Sequence, residues 1–167
     1  MEDRHVQKCC GHHHGGNNGN NSTPSILRIY NPTSSIVAYG ANLPLTLNTI
    51  FIPNNNDFTI DLLSNVIFFA PGIYSVTFTI TASIPLAPPI TTPLTIYENN
   101  SGFDGLRLSA SVYNLENIAT VSGSTMYTSI DSNNYFSLVN RTFNGVGVPI
   151  ELLYLEITAF KVYTFPT

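Results

Sequence analysis

The chain has 167 residues, of which only 10% are charged, and its 10 acidic and 6 basic side chains leave a net charge of −4. That balance excludes a nucleic-acid footprint, which needs clustered Lys and Arg, and a polybasic membrane-surface patch. Domains usually carry about 25% charged residues; a small monomer needs them for solubility, so their scarcity points to surface hidden in an assembly.

Residues 1–24 read as an arm. They hold all the cysteines and histidines of the chain: His5, Cys9, Cys10, His12, His13 and His14. Gly15 to Asn21 contains only Gly and Asn, a flexible spacer composition. Met1 to Lys8 (Met1, Glu2, Asp3, Arg4, His5, Val6, Gln7, Lys8) forms a candidate inter-subunit segment. It could seat on a neighbour's strand edge or groove, or stay solvated. Adjacent cysteines rarely bridge each other, so Cys9 and Cys10 are candidate inter-chain disulfides. With His12, His13 and His14 they are also the correct ligand types for zinc, at poor spacing. Neither role is a third reading, and no other cofactor is implied. The first 14 residues lack the apolar core of a signal peptide, and no run approaches about 18 apolar residues, so no helical span is expected.

From residue 25 the pattern is all-β, in one predicted domain over 25–167. A body of about 140 residues can bury roughly 68% of its unfolded surface and needs no staple. Predicted strands are Ile26–Tyr30, Ile50–Ile52, Phe58–Leu62 and Val66–Phe69. The clearest is Ile73–Ala82, where Tyr74, Val76, Phe78, Ile80 and Ala82 alternate with hydroxyl residues. Further strands are Leu94–Tyr97, Leu106–Tyr113, Ala119–Ile130, Tyr135–Val139 and Ile150–Val162. Turn residues separate them: Asn31-Pro32, Pro53 to Asp57, Pro71-Gly72, Pro85 to Pro93, Asn99 to Gly102 and Asp131 to Asn134. Ten short strands with regular turns mean a sandwich or jelly roll. In the last strand both parities are apolar from Ile150 to Ile157, so either another subunit covers the second face or a bulge near Leu152-Leu153 swaps the faces. Subunit cover is the expectation.

Phe69-Ala70-Pro71-Gly72-Ile73-Tyr74, followed by the alternating strand, resembles the F-x-x-P-G-x-Y-x-V core of the tumour-necrosis-factor-like and complement-q-like jelly rolls. The chain looks most like their bacterial versions on the spore surface: the head of exosporium collagen-like glycoproteins and the subunits of fibrous endospore appendages. The match spans about residues 26–163. It implies a ten-stranded jelly roll with an extended N-terminal arm, a homotrimer with the last strand near the three-fold axis, and a spore-surface location without a leader. Tyr74, Leu153, Leu155 and Ile157 are its candidate trimer core. The collagen Gly-X-Y repeat is missing, which favours a head-to-tail polymer, with a spore-coat anchor and a tip protein as further partners. A receptor- or glycan-binding tip module is the alternative, using Pro85–Pro93 or Asn99–Asp104.

No enzyme is expected, since no nucleophile elbow, phosphate loop or dinucleotide fingerprint occurs. Asp57 with Asp61, and Asp131 with Asn133 and Asn134, are calcium-type groupings that serve more often as turn caps. Asn99 and Asn140 open glycosylation sequons.

Overall fold

A computed structural model of the chain describes residues 25–46, 49–51, 55–84, 93–100, 103–110, 117–143 and 145–165. Eleven strands lie among them. They are β1 (Ile26–Asn31), β2 (Ser35–Val37), β3 (Thr49–Phe51), β4 (Phe58–Asp61), β5 (Val66–Phe69) and β6 (Gly72–Ser83). β7 (Leu94–Asn100), β8 (Phe103–Ala110), β9 (Ile118–Ser129), β10 (Tyr135–Asn140) and β11 (Ile150–Tyr163) complete the set. β2 has only three residues, too few for an alternation to show in the sequence, and it is the strand beyond the ten expected.

One sheet runs β3-β1-β11-β6-β9, with β2 also paired to β11; the other runs β4-β5-β10-β7-β8. The two sheets enclose one core, reached by the inward parity of each strand. Leu27 and Ile29 come from β1, Tyr74, Val76, Phe78, Ile80 and Ala82 from β6, and Phe136 and Leu138 from β10. Phe69 sits at an aromatic centre, with ring centroids 4.7 Å from Tyr74, 4.8 Å from Tyr127 and 5.5 Å from Phe58. Burying each such ring contributes about 1.5–3 kcal/mol.

β11 is the hub, hydrogen-bonded to β1, β2 and β6. Its register against β6 runs Leu152 to Ala82 and then skips to Tyr154 and Thr81, which is a β-bulge with Leu153 as the extra residue. The parity changes there. Ile150 and Leu152 are buried before the bulge, and Leu155, Ile157 and Ala159 after it. The double apolar parity of this strand is therefore a phase change, and the expectation of a subunit cover for a second apolar face is corrected.

The bulge makes opposite demands on adjacent leucines. We expect Leu152→Ala to cost about 2–5 kcal/mol in chemical denaturation, and Leu153→Ser to stay within about 1 kcal/mol. Equal costs would contradict the phase change.

Candidate interaction surfaces

The outer face of the β11 sheet follows from β6 and β9, whose outward positions are mostly Ser and Thr, with Ile73, Ile118 and the exposed Met126 among them. Across that pair Thr79 and Ser122 share a hydroxyl hydrogen bond of 3.0 Å, and Thr81 and Thr120 one of 2.9 Å. A shallow depression of about 290 Å³ lies on this face, bordered by Thr77, Thr79, Ser122, Gly123, Glu156 and Thr158. Beside it, Glu156 accepts from Arg28 Nε at 2.8 Å and from the Tyr154 hydroxyl at 2.5 Å. Tyr30 meets Tyr154 edge-on at 5.4 Å. The Tyr154 hydrogen bond, then Arg28, holds Glu156 below the usual carboxylate range, and the same bond pushes Tyr154 up. The centre of the face thus presents hydroxyls, two tyrosines and one self-neutralising ion pair.

One end of the sandwich is closed by a clasp at Ser25. After the bulge, inward phase brings Lys161 opposite Tyr74. Its ammonium donates to Asp57 Oδ1 at 2.6 Å and lies 5.6 Å from the Tyr74 ring centroid. The Ser25 hydroxyl donates to the other Asp57 oxygen, and Lys161 N donates to Ser25 O at 3.1 Å. Gly72 makes room: a Cβ there would stand 2.6 Å from both Lys161 Cε and Tyr163 O. Tyr74 donates to Ala70 O at 2.7 Å, and burial, with Asp57 nearby, pushes its phenol up. The Pro71-Gly72-x-Tyr74 element thus serves packing and the clasp.

The opposite end carries an aromatic cap. The Tyr39 ring lies where a Gly147 Cβ would be, 2.4 Å from the nearest ring atom. The Arg141 guanidinium lies over the Tyr39 ring at 5.7 Å, and Phe143 leans against it at 6.3 Å. Tyr39, Phe143 and Val146 are 42%, 54% and 68% exposed. Sequence reasoning passed over this cap. Its available signal was Phe143 and Val146 in a loop with Gly145 and Gly147, where apolar residues have no core to fill.

The sequence-predicted residues separate into two groups. Tyr74, Leu155 and Ile157 are 0%, 0% and 1% exposed in a single chain. They line its own core and have no surface to offer a neighbour, which corrects their reading as trimer core. Leu153 alone of that set lies on the outer face, displaced there by the bulge. Met1 to Lys8, Cys9, Cys10, His12, His13 and His14 lie outside the described residues, as does most of Pro85–Pro93. Asp61 Oδ1 accepts from Leu63 N, and Asp131 Oδ1 from Asn133 N, as turn caps. Asn140 is fully buried, and its amide donates to Val37 O and Val148 O, so this sequon is closed in the folded chain.

Neither a family model nor a curated protein matches the chain. Solved structures do match in fold. An Eiger TNF structure from S. frugiperda superposes with a TM-score of 0.58 at 13% identity, covering 86% of this chain and 96% of that one. The globular domain of zebrafish complement 1qA gives 0.57 at 16% identity, covering 84% and 99%. Murine APRIL gives 0.53 at 10% identity, covering 83% and 99%. The fold is the TNF-like and complement-q-like jelly roll. At these identities the likeness speaks for the fold.

The Glu156 network predicts a pH dependence. Its folded proton affinity is lowered, so it stabilises above the ordinary value of 4.5 and loses that contribution as pH falls through the folded value. We expect Glu156→Gln to cost less than about 1 kcal/mol at neutral pH, with the difference from wild type closing in acid. A difference unchanged in acid denaturation curves would contradict it.

Proposed function

We propose that the chain is a structural subunit whose sandwiches associate as a homotrimer, and whose trimers stack head to tail through residues 1–24 into a spore-surface fibre. The observation that carries this reading is the closed core. Ile150, Leu152, Leu155, Ile157 and Ala159 of β11 are all buried inside one chain, so association falls to the outer sheet face and to the arm. The outer face suits a self-contact: hydroxyls, Tyr30 and Tyr154 are sparing of charge, and the Arg28–Glu156 pair is already neutralised. The trimer itself and its spore setting follow from the resemblance carried by Phe69 to Tyr74.

Cysteine placement supports the connector role of the arm. Residues 25–167 contain no cysteine. A disulfide from Cys9 or Cys10 therefore joins arm to arm, or arm to another protein, and never arm to body. Three arms brought together by a trimer would meet that requirement, and covalent ties suit a fibre exposed to harsh conditions.

The reading is tested by electron microscopy and non-reducing gels on the purified full chain. We expect fibres, and disulfide-linked bands that disappear in the Cys9→Ser, Cys10→Ser double variant. Deleting residues 1–20 should leave trimers and abolish fibres. Isolated particles alone at high concentration, with arms intact, would overturn the polymer.

A further inference from the structure

The aromatic cap is an exposed patch with an unusual cation. Among the described side chains Arg28 pairs with Glu156 and Lys161 with Asp57, whereas Arg141 meets no carboxylate and instead lies over Tyr39. Phe143 and Val146 beside it stay more than half exposed. The cap is held from below. Gly40 N donates to Asn140 O at 2.8 Å, Arg141 N to Thr95 O at 2.9 Å, and the Asn140 amide ties Val37 to Val148. Such a platform is a fixed cation with aromatic and aliphatic flanks. It fits a peptide carrying a carboxylate next to apolar side chains.

The chain supplies that peptide. Glu2 and Asp3 stand between Met1 and Val6 in residues 1–24. The arm enters the body at Ser25, bound to Lys161 near the end of β11, whereas Gly147 under the cap precedes its start at Ile150. Fourteen residues of strand separate the two ends, roughly 45 Å at about 3.3 Å each. The 22 residues from Asp3 to Ser25 span at most ~75 Å. That length lets an arm cross a gap onto the cap of the next subunit, with Gly15–Asn21 as slack. One cap and one arm per chain give matched stoichiometry.

Resting on the head-to-tail reading above, we infer that the Tyr39–Arg141–Phe143 cap is the seat for Met1–Val6 of a neighbouring subunit. Glu2 and Asp3 engage the Arg141 guanidinium, and Met1 and Val6 cover Phe143 and Val146. The Met1 thioether suits an aromatic edge. Ends that differ in this way make a heterologous contact, which repeats without closing.

The test uses the full chain. Arg141→Glu should keep trimers by light scattering and raise the concentration needed for fibres at least tenfold, since a charge pair becomes a repulsion. Glu2→Lys with Asp3→Lys in that background should restore fibres. Phe143→Ser, on an exposed side chain, should weaken fibres without a charge change. A photo-crosslinking residue at position 143, in a mixture of isotope-labelled and unlabelled chains, should capture the segment 1–6 of another copy. Wild-type fibre assembly by Arg141→Glu, or capture of body residues or of an unrelated molecule, overturns the seat. If the 1–20 deletion abolishes fibres while Arg141→Glu does not, only the seat falls. If the deletion polymerises like wild type, the arm reading falls as well.

Discussion

The bulge at Leu153 is the constraint on which the rest of the molecule depends. β11 is flanked by β1 and β6 along most of its length and buries one side from Ile150 to Ala159. A strict period of two would send either Leu152 or Leu155 to solvent. One extra residue resolves the conflict and puts Leu152 opposite Ala82 and Leu155 opposite Ile80 on the same inner side. From the bulge to Lys161 the strand keeps the new phase. Ile157 and Ala159 reach the core, and Lys161 reaches Asp57 and Tyr74 where the core opens to its end. The same shift turns Tyr154 and Glu156 outward, where they meet Tyr30 and Arg28.

Closure of the core within one chain decides what is left for other molecules. The outer face of the β11 sheet is not a raw core surface. It is a sheet of hydroxyls and tyrosines that a free chain can present to water without collapsing. The ends differ more sharply. At one, Asp57 holds both Lys161 and Ser25, next to the start of β1. At the other, Tyr39, Arg141 and Phe143 stand exposed on a backbone whose buried amides are well satisfied. The two ends of the sandwich thus offer unlike surfaces, and a contact between unlike ends is heterologous.

Much of this fold was legible in local sequence. The alternation from Tyr74 to Ala82 survives as β6, because a strand with one dry face must write its period into the chain. Pro71-Gly72 and the Asp61 and Asp131 turns act where their turn chemistry says. The bulge is not legible there, since a doubly apolar run reads the same whether its second face is covered or its phase shifts midway. Tyr74, Leu155 and Ile157, which the family resemblance assigns to a trimer core, belong to the core of one chain. The Asp57–Lys161 clasp joins residues 104 apart, and the aromatic cap joins loops around Tyr39 and Phe143. No window of sequence holds either pair, so only the pairing of β11 with its neighbours reveals them.

Sedimentation velocity of the full-length chain over a hundredfold range of concentration tests the central claim most directly. We expect a smallest stable species of three times the 18.3 kDa chain, with larger assemblies growing from it as concentration rises. A single 18.3 kDa species across the whole range would contradict it.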